Sequence, residues 1–373
     1  MDLKECREQI DHIDQQLLHL FLERMDVVTN VAEYKKRNGL PILNAQREKE
    51  VIENKLKDCP ETAKEYVESF FVHLMEISKC YQLSQLKEIS SFPIITGSIC
   101  DSQDSRIACQ GTKGAYSHIT AKRLFPSGQI QFYNTFREVF EAVTNQTADY
   151  GILPIENSSA GSVCDVYDLL KEYGLSINLI YRLKVEHCLA AKSGVALDQL
   201  KRVYSKKEAL EQCSRFLTEC QIPTENYANT ALAAQYVAES QESEQLGAIC
   251  SEECAQIFHL DILKRQIQNI SDNYTKFIVI SRNLLVSDKS TETGLCIRIP
   301  NQPGELNKLL TTFSLYNIDL SRIESRPIGD KEFSVLFYLS FSGSIADHRV
   351  QELISDLQYH YDFVKLLGSY ENR

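Results

Sequence analysis

Residues 3–37, LKECREQIDHIDQQLLHLFLERMDVVTNVAEYKKR, read as one long amphipathic helix with three cations in its apolar stripe. Leu3, Ile10, Ile13, Leu17, Leu20, Phe21, Val27, Val28, Val31 and Tyr34 recur at helical spacing. Arg7, Arg24 and Lys35 fall in the same stripe. A cation taken out of water without an anion is costly. The stripe therefore calls for internal carboxylates or for an anionic ligand held in a helical core. Asn38, Gly39 and Pro41 stop the helix. Its length, roughly 50 Å, exceeds the width of a small domain, so one copy is not expected to bury the stripe alone.

Further helices are expected from about Asn44 to Lys57 and, after Pro60, from about Glu61 to Leu86. No strand signal precedes residue 92, so residues 1–90 form an all-α segment. Residues 91–104, serine-rich with Pro93 and Gly97, read as a linker. Across residues 105–283 short β-rich runs alternate with helical stretches, the pattern of an α/β domain. One of those stretches is a helix near Lys207–Leu217. Residues 284–293 are a second linker. Residues 294–373 spell β-α-β-β-α-β around a Gly329-Asp330 turn, the order of a ferredoxin-like α+β sandwich.

Bulk properties narrow the function. The chain has 373 residues, 43% hydrophobic and 24% charged, with a net charge of -11. That balance argues against nucleic-acid and membrane-surface partners, which need a basic face. The twelve cysteines contain no Cys-x-x-Cys pair, and no signal peptide is expected from the acidic N-terminus. Reduced thiols and a cytoplasmic location are expected. Cys250 and Cys254 share helical spacing without further ligands, so no metal is expected. No apolar run reaches membrane-spanning length.

Arg24 and Lys35 lie about 20° and about 16 Å apart on one helix, so both can reach one pocket. Arg7 lies about 100° and about 25 Å from Arg24, and an antiparallel partner helix is needed to bring it in. Arg47 and Glu48 open the second helix, and Ser78 and Gln82 are i, i+4 neighbours on the third. Solvated surface salt bridges are the bland alternative. In order and spacing, Arg7, Arg24, Lys35, Arg47, Glu48, Ser78 and Gln82 resemble the active-site set of the all-helical chorismate mutases. Asn44 stands where several relatives have Asp. The resemblance implies an intertwined homodimer in which Arg7 crosses into the partner's site. It also implies that Lys35 and Gln82 donate to the ether oxygen of chorismate, that Glu48 holds the ring hydroxyl and that Ser78 binds a carboxylate. The pericyclic step needs no proton transfer, so positioning and electrostatics must carry it.

Two junctions stand out in the middle domain, Gly111-Thr-Lys-Gly114-Ala-Tyr116-Ser117-His118 and Pro154-Ile-Glu156-Asn157-Ser158-Ser-Ala-Gly161. Each is expected to follow a strand and open a helix, offering backbone N–H groups to a carboxylate, or simply to turn and cap the chain. With Asn273-Tyr-Thr275-Lys276-Phe277 and Gln212-Cys213, they resemble the prephenate dehydratase domain. That resemblance implies two α/β lobes like a periplasmic binding protein. Thr275 would assist hydroxide departure from prephenate, with Glu156 as a proton source if burial raises its pKa. Asn157, Ser158, Gln212 and Phe277 would contact substrate. Lys276 replaces the family's arginine, and Lys206-Lys207-Glu208 replaces its usual His-Pro-Gln.

Gly304-Glu305-Leu306 and Glu324-Ser325-Arg326-Pro327 resemble the ligand segments of the ACT regulatory domain, which implies L-phenylalanine as effector. Together the three parts resemble the bifunctional chorismate mutase/prephenate dehydratases of L-phenylalanine biosynthesis, with no cofactor. Three other readings stay open. One is a non-catalytic amino-acid sensor; another is a mutase fused to a dehydratase-like domain of lost activity. The third, a mutase fused to a dehydrogenase, is disfavoured because Gly111-x-x-Gly114 lacks dinucleotide-loop spacing.

Overall fold

The computed structural model describes residues 2–41, 44–86, 92–241, 245–327 and 335–373. The chain packs as two compact units, Met1–Phe92 with Ile297–Val364 and Pro93–Cys296 with Lys365–Arg373.

In the first unit, helix α1 (Leu3–Asn38) is unbroken. Asp2 and Glu5 close it reciprocally, each side chain accepting the other's backbone N–H at 2.8–2.9 Å. Gly39, at φ 64°, ends it in the left-handed conformation glycine tolerates. Helix α2 (Ala45–Lys57) follows, then a single 3-10 turn Glu61–Ala63 and helix α3 (Lys64–Leu86). Met25, Val28 and Ala32 of α1 and Leu83 of α3 are buried. Leu3, Ile10, Ile13, Leu17 and Leu20 keep 49–68% of their surface exposed. The expected buried stripe is thus only partly covered in one chain. Arg24 and Lys35 are half-buried, whereas Arg7 lies in solvent.

The same unit holds helices Glu305–Leu315 and His348–His360 and the antiparallel strands Leu320–Pro327 and Val335–Ser342. Both helices pack on α3. Asn307 Nδ2 lies 3.1 Å from His73 Nε2, and Tyr316 donates to Asp356 at 2.5 Å. The expected Gly329-Asp330 turn lies outside the described residues.

The second unit has two lobes. In one, strands Arg106–Gln110 and Gln129–Tyr133 run parallel beside Tyr150–Asn157, followed by Tyr274–Ser281 and Ser176–Lys184. Ile107, Cys109, Phe125, Ile152 and Phe277 form its core. The other lobe is a five-stranded sheet ordered Asp261–Lys264, Cys188–Ala191, Leu246–Cys250, Arg202–Ser205 and Thr224–Asn226. Its two edge strands are short and largely exposed, so they carry little apolar periodicity. Two segments expected as linkers meet here, because Ile95–Thr96 pairs in parallel with Leu285–Val286. The helix expected near Lys207–Leu217 breaks at buried Cys213 into Lys207–Gln212 and Ser214–Cys220. Among the described residues no helix is long and apolar enough to cross a membrane.

Candidate functional site

Two polar clusters are built from the expected residues, one in each unit. In the first, Arg24 of α1 donates to Ser78 Oγ of α3. Ser78 in turn donates to Leu74 O at 2.6 Å, which holds its lone pairs toward α1. Burial pulls the Lys35 ammonium below the ordinary lysine range, and the Glu48 carboxylate pulls it back up. Glu48 sits in the first turn of α2, whose cap is Asn44; Asn44 Oδ1 accepts from Arg47 N at 3.0 Å. Lys79 donates to Glu48 Oε2 at 3.3 Å and to Glu76 Oε1 at 2.6 Å. One turn beyond Ser78, Gln82 is 8% exposed and its Oε1 has no hydrogen-bond partner among the described residues. A buried acceptor left open costs about 1–3 kcal/mol, and a ligand or ordered water that donates to it would recover that energy. Two expected members stay outside the cluster. Arg47 pairs with Glu50 at 3.6 Å in solvent, and Arg7 is exposed on the early part of α1.

The second cluster is a file of side chains joined by hydrogen bonds. Asn157 Oδ1 accepts from Ser159 N at 3.0 Å and Ala160 N at 2.9 Å, which fixes the amide's orientation. Its Nδ2 then donates to Thr275 Oγ1 at 2.9 Å, Asn273 Oδ1 at 2.9 Å and Tyr274 O at 3.2 Å. Asn273 Nδ2 donates to Gln212 Oε1 at 3.3 Å, and His187 Nε2 meets the same oxygen at 2.9 Å. Tyr116 OH lies 3.3 Å from His187 Nδ1. Gln212 Oε1 can only accept, so His187 carries its proton on Nε2, while the single Tyr116 hydroxyl proton is directed to Glu186 O at 3.1 Å. Burial pulls the His187 pKa below the ordinary histidine value, and the Gln212 hydrogen bond offsets part of that. Because Thr275 accepts from Asn157, its own O–H is left to point elsewhere. Ser158 Oγ accepts from Tyr274 N at 2.9 Å and braces the strand end. A cavity of about 380 Å³ borders Tyr116 and His187.

Three expectations change here. The Pro154–Gly161 segment does not open a helix directly. It ends strand Tyr150–Asn157 and turns into Gly161–Ser162, with the helix starting at Cys164. The Asn157 side chain occupies two of the loop N–H groups offered to substrate. Glu156 is paired with Lys276 at 3.0 Å. Side chains alternate along a strand, so the Glu156–Lys276 pair faces away from the neighbouring Asn157–Thr275 pair. That geometry does not make Glu156 the proton source for Thr275's site. Phe277, 2% exposed, belongs to the core beneath the site.

Sequence spacing does not single out His187, and it offers Tyr116 only as part of the Gly111–His118 junction. A lone histidine before an apolar strand was the only signal for the first, and its partner Gln212 is remote in sequence. In the C-terminal segment, Gly304 at φ 87° opens helix Glu305–Leu315, and Glu305 accepts from Lys308 at 2.6 Å. Leu306 is exposed. Glu324, Ser325, Arg326 and Pro327 end strand Leu320–Pro327, where Glu324 lies 3.4 Å from Arg322.

An α-helical cluster of cations beside a buried amide, followed by a two-lobed α/β unit with a polar file, defines a two-site enzyme. Residues 6–83 match the chorismate mutase type II family and residues 107–284 the prephenate dehydratase family. The chain is 31% identical over 376 residues to the bifunctional chorismate mutase/prephenate dehydratase of Enterobacter agglomerans, covering 99% of this chain and 95% of the relative. It is 37% identical over 281 residues to arogenate dehydratase 2 of Petunia hybrida, covering 71% of each. The crystal structure of prephenate dehydratase in complex with L-Phe from Arthrobacter aurescens superposes with a TM-score of 0.66 at 25% identity, over 71% of this chain and 89% of that one. The chain belongs to the bifunctional chorismate mutase/prephenate dehydratase family.

Proposed function

We propose that the chain converts chorismate to prephenate and prephenate to phenylpyruvate, two consecutive steps of L-phenylalanine biosynthesis. Family membership over its whole length supports both activities. The directed file ending at Thr275 carries the dehydratase reading, because Thr275 accepts from Asn157 and so keeps its own hydroxyl proton for another partner. As the ring carboxylate of prephenate leaves as carbon dioxide, its bonding electrons enter the ring and expel hydroxide. Thr275 donates a hydrogen bond to the departing oxygen, and Asn157, Ser158 and Gln212 hold the Thr275 segment in place. In the helical cluster, Arg24 and Ser78 take a carboxylate of chorismate. Lys35 and the Gln82 amide nitrogen donate to the ether oxygen as charge develops there. Glu48 accepts from the ring hydroxyl.

The mutase works as a homodimer in this reading. The exposed apolar face of α1 covers itself on a second copy, which brings the partner's Arg7 to the pocket. L-Phenylalanine acts through the C-terminal segment, at Gly304–Leu306 and Glu324–Pro327, by favouring one quaternary state. A complex of L-Phe with the Arthrobacter aurescens protein supports an effector of this kind.

One assay tests the whole reading: chorismate loss and phenylpyruvate gain followed together, with and without phenylalanine. Chorismate loss without phenylpyruvate would leave a mutase joined to an inactive domain, and neither signal would leave a sensor. Arogenate belongs in the same assay, since the Petunia relative is an arogenate dehydratase.

A further inference from the structure

We infer that Lys79 is a positioning residue of the mutase site, setting the Glu48 carboxylate and reserving Lys35 for the substrate. This rests on the reading of Glu48 and Lys35 given above.

Lys79 lies on α3 next to Ser78, but its side chain is only 9% exposed and spans two carboxylates. Glu76, also 9% exposed, takes it at 2.6 Å from one turn back on the same helix. Glu48, 29% exposed, takes it at 3.3 Å from α2. A buried ammonium needs one carboxylate to be neutralised, and Glu76 supplies that without help. The second contact therefore acts mainly on Glu48. Of the ammonium groups near Glu48, Lys79 is the one hydrogen-bonded to it, and Lys35 of α1 and Lys308 act on it through charge.

The competition between Lys79 and Lys35 for this carboxylate matters for the reaction. Lys35 stabilises the ether oxygen only to the extent that its N–H groups are directed there, and a carboxylate drawn fully onto Lys35 would take them. Lys79 anchors Glu48 from α3 by a direct hydrogen bond at 3.3 Å. It spreads the carboxylate's charge over two cations and limits its rotamers, so that an oxygen remains for the ring hydroxyl. Glu76 holds Lys79 in place. Truncating Lys79 would let Glu48 collapse onto Lys35, a fault confined to one of the two activities.

The test uses the full-length chain and the variants Lys79→Met, Glu48→Gln and their double. Mutase kcat and KM are read on chorismate, and dehydratase activity is read separately on prephenate. Lys79→Met is expected to lower mutase kcat roughly 10- to 100-fold with KM changed less than about threefold, the scale of a misplaced catalytic group. Dehydratase activity on prephenate should be unchanged. The double variant should be no slower than the slower single, because both changes act on one carboxylate. A mutase kcat within about twofold of the parent in Lys79→Met would overturn the inference, as would losses that multiply in the double. If Glu48→Gln alone leaves the mutase intact, the role given to Glu48 fails first, and the inference with it. Should Lys79→Met lose its helical signal by circular dichroism, Glu76→Gln/Lys79→Met replaces it. That variant removes the stranded buried charge and is judged by the same outcomes.

Discussion

Replacing Asn157 by aspartate keeps the shape of the dehydratase file and reverses one hydrogen bond. The two backbone N–H groups at 2.9 and 3.0 Å still find an oxygen. The three acceptors of Nδ2, at 2.9, 2.9 and 3.2 Å, now face a carboxylate oxygen. Nδ2 has two protons to share among them, so at about 1 kcal/mol net per neutral bond some 2 kcal/mol is lost. Thr275 recovers part of it by rotating its proton onto the new carboxylate, a charge-assisted bond. The net cost to stability is about 1 kcal/mol. That rotation takes from the substrate the hydroxyl proton that assists departure. Loss of one transition-state donor lowers kcat about 10²- to 10³-fold. Asn157→Ala disturbs the turn more but leaves the Thr275 proton available, so its kcat should fall less and its melting temperature more. Both are measured on phenylpyruvate formation from prephenate, beside thermal unfolding. Asn157→Ala slower than Asn157→Asp, or Asn157→Asp as fast as the parent, would refute the directed-proton argument.

Thr275→Ala should abolish phenylpyruvate formation while chorismate is still consumed, so that prephenate accumulates; retained phenylpyruvate would exclude the role. Lys35→Ala and Arg7→Ala should each lose mutase turnover, and mixed dimers of the two should regain one working site; no recovery on mixing would count against the exchange of Arg7. Burial lowers the pKa of His118, His187 and His360 in the folded chain. Each therefore contributes stability that is complete above the unfolded value of about 6.5 and declines as pH falls below it toward the folded value. Melting temperature should drop between about pH 7 and pH 5.5, and a flat profile there would contradict the burial of these rings. Millimolar phenylalanine should inhibit the dehydratase, and Glu305→Ala should shift the half-inhibiting concentration; equal curves would place the effector elsewhere.

What could be read without the structure was what neighbouring residues settle among themselves. Helix α1 follows from its period, its Asp2–Glu5 box and Gly39, all local, and the motif residues follow from fixed spacings. The element order β-α-β-β-α-β is likewise a succession of local periods. Tertiary structure decided matters that depend on partners far along the chain. The register of Tyr274–Ser281 against Tyr150–Asn157 put Thr275 with Asn157 and sent Glu156 to Lys276, a distinction one strand cannot carry. The break at Cys213 aimed Gln212 at Asn273 and made His187 part of the file. The cations that opened the question divided in the same way. Periodicity put Arg7, Arg24 and Lys35 in one stripe. Burial, which requires another surface to cover the stripe, was met by Ser78 of α3 for Arg24 and in part beside Glu48 of α2 for Lys35, and among the described residues Arg7 stays exposed. A period records which side chains share a face, whereas the free energy of burying them depends on what that face meets.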